Sequence, residues 1–70
     1  MTARVLNGTV TDFDDAVGLG EVTDLSDGTR YPFHCIELAD GSRTISLGAA
    51  VRFTVFAKLG RLEAAQVERA

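Results

Sequence analysis

Short runs of alternating apolar and polar residues, separated by glycine-containing turns, extend through most of the chain. The glycines stand at positions 8, 18, 20, 28, 41, 48 and 60. Neighbouring side chains of a β-strand point to opposite faces, so a strand with one buried face alternates in this way. Several short strands separated by regularly spaced turn residues are typical of a small barrel or sandwich. The pattern therefore predicts an all-β fold.

The first run shows this alternation and one interruption of it. Leu6, Gly8 and Val10 share a face, whereas Phe13 is out of phase by one residue. An extra residue in a strand moves the side chains that follow it to the other face, as happens at a β-bulge. The sequence therefore predicts a bulge or a sharp bend near Asp12.

The segment around Pro32 predicts a strand at the edge or the end of the sheet. Tyr31 and Phe33 fall on one face, and Arg30, Pro32 and His34 fall on the other. Proline has no N–H group to donate to a neighbouring strand, so it is confined to edges, ends and bulges. Asp-Gly pairs on either side of this strand predict turns. These pairs are Asp27-Gly28 and Asp40-Gly41.

The second half of the chain contains the clearest strand and an ambiguous tail. Over residues 51–56 the inward positions are Val51, Phe53 and Val55, and the outward positions are Arg52, Thr54 and Phe56. Residues 62–69 are rich in good helix formers, but the segment is short, uncapped and only weakly periodic. The pattern leaves both a helix and a closing strand open for the tail.

The charge balance and the scarcity of reactive side chains narrow the range of functions. Seven Lys/Arg against ten Asp/Glu give a net charge of −3, which excludes a strongly basic protein and leaves room for a local basic stripe. One His and one Cys cannot supply a metal site of three or four such ligands. Neighbouring side chains of a strand point apart, so His34 and Cys35 are not expected to meet as a catalytic pair. We therefore expect no enzymatic activity, no metal site and no cofactor.

The sequence predicts one cytoplasmic domain over residues 1–70. A chain of 70 residues has room for one small domain. No apolar run approaches the roughly 18 residues of a membrane-spanning helix, and residues 1–8 contain no apolar stretch long enough for a signal peptide. A single cysteine cannot form an internal disulfide, which fits a reducing compartment.

Five pieces of the sequence stand in the order and at the spacing of the motifs of one known family. Residues 8–14 (GTVTDFD) resemble its G-x-V-K-W-F-N, residues 17–22 (VGLGEV) its K-G-F-G-F-I, and residues 31–35 (YPFHC) its V-F-V-H-F. Residues 48–55 (GAAVRFTV) and 64–67 (AAQV) fit its last two strands. Together the pieces resemble a cold-shock domain. The resemblance implies a small five-stranded antiparallel barrel of the oligonucleotide-binding (OB) type, with the tail as the fifth strand.

The resemblance also implies binding of single-stranded RNA or DNA, because cold-shock domains stack bases on an aromatic face built by the two middle motifs. At that face His34 is the ring that this chain keeps. The family's other aromatic and lysine positions are occupied by Thr11, Asp12, Val17, Leu19, Glu21, Pro32, Cys35 and Ser42. Each stacked base contributes about 1–3 kcal/mol, so the loss of most of these rings predicts weak binding.

Two functions follow from these residues. The first is weak, salt-dependent binding of single-stranded nucleic acid, with the family's role as an RNA chaperone or a modulator of transcription or translation. The residues assigned to it are Leu19, Glu21, Arg30, Pro32, His34, Arg43 and Arg52. The second is a protein–protein interaction module that kept the barrel and meets a partner, or a second copy of itself, through exposed apolar residues. The residues assigned to this interface are Phe56, Leu59 and Leu62.

Overall fold

Five β-strands and one short 3-10 helix make up the fold. The computed structural model describes residues 4–70. In this range no helix has the length and apolar character needed to cross a membrane. The elements are β1 (Leu6–Asp14), β2 (Leu19–Asp24), β3 (Arg30–His34), the 3-10 helix (Cys35–Glu37), β4 (Ala50–Lys58) and β5 (Arg61–Arg69). The prediction of one domain over residues 1–70 includes residues 1–3, which lie outside the described residues.

The strands form one antiparallel sheet in the order β3-β2-β1-β4-β5. The sheet curls until its two edge strands, β3 and β5, pack against each other. No hydrogen-bonded ladder joins these two strands anywhere in the described part of the chain, so the barrel is open along this side. The predicted all-β, five-stranded antiparallel fold is confirmed, and Pro32 lies on an edge strand as its missing N–H requires.

The predicted irregularity in the first strand is confirmed. The register between β1 and β2 shifts between Val10 and Asp12. The shift turns Phe13 toward the interior, where its ring stacks on Phe33 with a centroid distance of 5.9 Å. Gly20 lies directly opposite Phe13, and a Cβ at Gly20 would stand 2.7 Å from the Phe33 ring. Close approach of two aromatic rings to the backbone therefore requires glycine at this position.

The core consists of the inward positions of all five strands and of two loop residues. The predicted inward residues Phe33, Val51 and Phe53 are each about 1% exposed, which confirms the alternation in β3 and β4. The ring of Tyr31 packs on the ring of Phe53 at a centroid distance of 5.7 Å. The other buried apolar residues are Val10, Val22, Leu38, Ile45, Ala64 and Val67.

The ambiguous tail is a strand, as the resemblance implies. A two-residue turn, Leu59-Gly60, returns the chain from β4 into β5, and both residues have positive φ, 51° and 83°. Two such residues are characteristic of a type I′ turn, whose twist suits a β-hairpin. The turn lays the tail along β4 and buries Ala64 and Val67. Burial and cross-strand pairing thereby override the helix propensity of the isolated segment.

The Asp27-Gly28 turn joins β2 to β3, as predicted. Gly28 has a φ of 76°, a value that residues other than glycine rarely adopt. The backbone N–H of Thr29 donates a 2.9 Å hydrogen bond to Asp27 Oδ1. This bond lowers the pKa of Asp27, because it stabilises the charged carboxylate.

Candidate functional site

An open groove of about 340 Å³ lies along the side where β3 and β5 do not pair. One wall comes from β2, β3 and the 3-10 helix, and the other comes from the β4–β5 hairpin. A groove here is compatible with the open barrel, because no ladder joins the two edge strands on this side in the described residues. Concave surfaces with an apolar lining and a few polar groups are the usual binding sites of small domains.

The first wall brings together three of the residues that the sequence assigns to nucleic-acid binding. Leu19 lies opposite His34 in the β2–β3 register, and Pro32 is two residues before His34 on the same face. Leu19 is 54% exposed, and Ile36 of the 3-10 helix, 77% exposed, extends the apolar surface of this wall. This wall is therefore apolar and accessible, with the imidazole of His34 as its ring.

The second wall adds an aromatic ring and two cations. Phe56 lies opposite Glu63 in the β4–β5 register, and Lys58 lies opposite Arg61, so all four side chains share one face of the hairpin. Phe56 is half-buried, whereas the Arg61 side chain is 73% exposed. The groove therefore combines two rings, His34 and Phe56, with two cations.

Comparison with known proteins identifies the fold. No protein-family model matches the chain, and no curated protein matches it either. Among solved structures, the chain is similar to one described as Drosophila Unr CSD456, with 28% identity and a TM-score of 0.81 over 97% of this chain. The fold is cold-shock-domain-like. The matched region is 27% of the length of the Unr chain, so this chain spans about a quarter of that protein structure.

The outer sheet face of this cold-shock-domain-like fold, next to the groove, is acidic. Glu21 lies opposite Pro32 on one side and opposite Asp12 on the other. The hydroxyl of Thr11 lies 3.2 Å from Glu21 Oε1 and 2.9 Å from the hydroxyl of Thr23, which adds polar contacts where the family resemblance implies stacking rings. Two carboxylates directly opposite each other repel phosphate groups as well as one another. This face is therefore a poor platform for a nucleic-acid backbone.

The three arginines assigned from the sequence do not gather in the groove. Arg52 donates a 2.9 Å hydrogen bond to Glu68 of β5, and this ion pair lies on a different surface. Arg30 begins β3 opposite Thr23, at the end of the strand away from His34. Arg43 borders a separate shallow depression, which His34 also lines. The cations at the groove are instead Lys58 and Arg61.

The three residues assigned to a protein interface do not form one patch. Phe56 lines the groove beside the nucleic-acid candidates. Leu62 lies opposite Ala57, one register step from the Phe56–Glu63 pair, so it occupies the other face of the hairpin. Leu59 stands at the tip of the turn and is 98% exposed. The exposed leucines are therefore separated from Phe56.

The expectation that His34 and Cys35 point apart is wrong. Strand β3 ends at His34 and the 3-10 helix begins at Cys35, so the alternation of a strand no longer applies between them. Cys35 Sγ lies 3.8 Å from His34 Nδ1. The same nitrogen accepts a 3.2 Å hydrogen bond from the backbone N–H of Ile36 and so caps the helix. This bond fixes the imidazole at the groove.

In the described residues, no group of three or more His, Cys, Asp or Glu side chains is arranged to hold a metal.

Sequence reasoning missed several groove residues. Ile36 lies on a 3-10 helix that the pattern did not predict, and Lys58 received no role. Glu37 and Glu63 also line the groove. One signal was present: Phe56, Lys58 and Arg61 flank the Leu59-Gly60 turn at spacings that bring them to one face of a hairpin. That signal depends on assigning the tail to a strand.

Proposed function

We propose that this cold-shock-domain-like module binds single-stranded nucleic acid weakly, in the groove between β3 and β5. The observation that carries the proposal is the presence of His34 and Phe56 beside Lys58 and Arg61 in one groove. Rings that stack on bases and cations that contact phosphates are the two components of single-strand binding surfaces. The cold-shock-domain-like fold supports a nucleic-acid-binding module in general.

The composition of the groove supports weak, salt-dependent affinity. Each stacked base contributes about 1–3 kcal/mol, and the groove offers two rings where a micromolar complex needs about 8 kcal/mol in total. Lys58 and Arg61 balance the charges of Glu37 and Glu63, and the adjacent sheet face is acidic. Cations then act locally on a few phosphates, and added salt competes with those contacts.

We infer a role without covalent chemistry, that of an RNA chaperone or a modulator of transcription or translation in the cytoplasm. Weak contacts that form and break readily suit a protein that melts or reshapes RNA, because tight contacts would trap one conformation. The groove supplies stacking and phosphate contacts to the single strand. After the RNA is released, its bases are free to pair again.

The test is a ¹⁵N-edited NMR titration of the whole chain with short oligo-rU and oligo-dT at low salt. We expect chemical-shift changes at Leu19, His34, Phe56, Lys58 and Arg61 that disappear as salt is added. No changes with millimolar oligo-rU, oligo-dT or oligo-rC would overturn the proposal. Changes confined to Arg52 and its surroundings would place the binding site on another surface and would overturn the assignment of the groove as that site.

A protein–protein interaction module is the second candidate, and one observation favours it. Two exposed leucines of the hairpin lie outside the groove: Leu59 at the tip of the turn, 98% exposed, and Leu62 on the strand that follows, 54% exposed. Exposed leucines in this arrangement suit a partner or a second copy of the chain.

Sedimentation and oligonucleotide titration of the Leu62→Ser and Phe56→Ser variants separate the two candidate functions. Loss of self-association in the first variant with intact oligonucleotide shifts would support the interaction module, whereas loss of those shifts in Phe56→Ser supports the groove.

A further inference from the structure

Glu63 is an unusual residue to find in a groove that binds nucleic acid. It lies in β5 opposite the ring of Phe56, and its side chain is only 15% exposed. The nearest cation among the described residues is Arg61, whose Nε is 3.5 Å from Glu63 Oε2. The two groups form an ion pair, but they do not form a hydrogen bond. A largely covered carboxylate therefore faces the groove with one distant partner.

The other carboxylate of the groove differs from Glu63 in this respect. Glu37 Oε1 accepts a hydrogen bond of 3.3 Å from the backbone N–H of Gln66. Glu37 thus has a structural role, which ties the 3-10 helix to β5. No buried side-chain oxygen among the described residues lacks a hydrogen-bond partner, so water still reaches the carboxylate of Glu63. A ligand that brings an N–H group to this carboxylate can replace that water with a charge-assisted hydrogen bond. Glu63 is therefore the acceptor that a ligand in the groove would meet.

We propose that Glu63 makes the groove select bases that carry an exocyclic amino group, cytosine and adenine, over uracil. The inference rests on the proposed function, since it assigns a base preference to the same groove. A base stacked on Phe56 presents its edge beside the ring, where the register places Glu63. Cytosine offers N4–H₂ and adenine offers N6–H₂ as donors to a carboxylate, whereas uracil offers the O4 acceptor at the corresponding position. The carboxylate attracts the first two bases and repels uracil O4.

Oligo-rC and oligo-rU of equal length are the probes that test this preference. They share backbone, charge and ring size, and they differ in the group at position 4 of the base. We expect the whole chain to bind oligo-rC about tenfold more tightly than oligo-rU at neutral pH, measured by NMR titration at low salt. The Glu63→Gln variant, which keeps the shape and loses the charge, is expected to bring the two affinities within about twofold of each other.

Glu68→Gln is the matched control. Glu68 is another glutamate of β5 with an arginine partner, Arg52, and it lies outside the groove. The Glu68→Gln substitution changes the net charge by the same amount as Glu63→Gln. It is expected to raise the affinities for oligo-rC and oligo-rU slightly and to leave their ratio unchanged. Amide spectra of both variants establish that they are folded.

Each outcome decides one point. A tenfold preference for oligo-rC that disappears only in Glu63→Gln supports the inference. Equal affinities of the unmodified chain for both oligonucleotides would overturn the inference and leave the proposed function standing. A preference that persists in Glu63→Gln would overturn the role of Glu63. If neither oligo-rC nor oligo-rU binds, the proposed function and this inference are both overturned.

Discussion

Leu19 of β2 lies directly opposite His34 of β3, and together they form the apolar wall of the groove. The cold-shock resemblance implies a phenylalanine at the Leu19 position, and the 54% exposure of Leu19 leaves room for one. We expect Leu19→Phe to bind oligo-rU more tightly by about tenfold, since one added stacking ring contributes about 1–3 kcal/mol. Fluorescence anisotropy with a labelled oligonucleotide measures the change.

Leu47→Phe is the control for that substitution. Leu47 is also exposed, at 65%, but it belongs to the loop before β4 and does not line the groove. It adds the same ring and is expected to leave the affinity unchanged. If Leu19→Phe and Leu47→Phe give the same affinity, the wall formed by Leu19 and His34 is not a stacking surface.

The salt dependence of binding distinguishes the cations of the groove from those outside it. Counterion release gives a slope of about −0.7 per phosphate contact for a single strand, in a plot of log affinity against log salt. We expect Lys58→Ala and Arg61→Ala each to reduce the steepness of this slope by about 0.7. Arg52 lies outside the groove, so Arg52→Ala is expected to leave the slope unchanged. A reduction in Arg52→Ala alone would move the phosphate contacts to the outer surface of β4.

Most of the fold could be predicted from local pattern. The alternation of inward and outward residues in β3 and β4 depends only on the two-residue period of a strand, and the phase change before Phe13 marks the bulge of β1. The tail could not be assigned in this way, because its local propensity favours a helix. Its pairing with β4 depends on the Leu59-Gly60 turn, and leucine is not a residue that signals such a turn.

The site was less predictable than the fold, because it depends on contacts between distant segments. Leu19, Pro32 and His34 could be assigned together, since neighbouring strands share a face in a regular register. The joining of Phe56 to them could not, because it depends on how far the sheet curls and where β3 and β5 part. The outward position of Arg52 did not show that this residue lies away from the groove, since parity shows that a side chain leaves the core and not which surface it reaches.

The contacts of the Asp40 carboxylate predict how the stability of the fold depends on pH. The hydroxyl of Ser42 donates a 2.6 Å hydrogen bond to Asp40 Oδ1, the Ser42 N–H donates another, and Arg69 of β5 forms an ion pair with Oδ2. The Ser42 hydroxyl is the main cause that lowers the pKa of Asp40. A carboxylate whose pKa is lower in the folded state stabilises the fold above its unfolded pKa of about 3.9, and this contribution is lost as the pH falls through the folded value.

We therefore expect Asp40→Asn to unfold at lower urea concentration than the unmodified chain at pH 7, and the difference to shrink as the pH falls below about 4. Urea denaturation of both proteins from pH 7 to pH 2 measures it, and subtraction removes the titration of the other carboxylates. The change is small, because Asp40 is exposed. A difference that stays constant down to pH 2 would show that the charge of Asp40 does not stabilise the fold.

Leu59 predicts a substitution that stabilises the hairpin. Its φ of 51° lies in the left-handed region, which costs an ordinary residue about 1–2 kcal/mol, and its side chain is 98% exposed and contributes no burial. Asparagine adopts this conformation more readily and is the preferred residue before glycine in a type I′ turn. We expect Leu59→Asn to raise the free energy of unfolding by about 0.5–1 kcal/mol, measured as a higher urea midpoint with an unchanged slope.

Leu62→Asn separates this backbone effect from the removal of an exposed leucine. Leu62 is 54% exposed in the extended backbone of β5, so asparagine there removes apolar surface without relieving a left-handed residue. It is expected to leave stability unchanged or to lower it, because asparagine disfavours strands. Equal gains in both variants would trace the effect to solubility rather than to the turn. A higher free energy of unfolding in Leu59→Asn alone would show that the backbone of the turn is strained at Leu59.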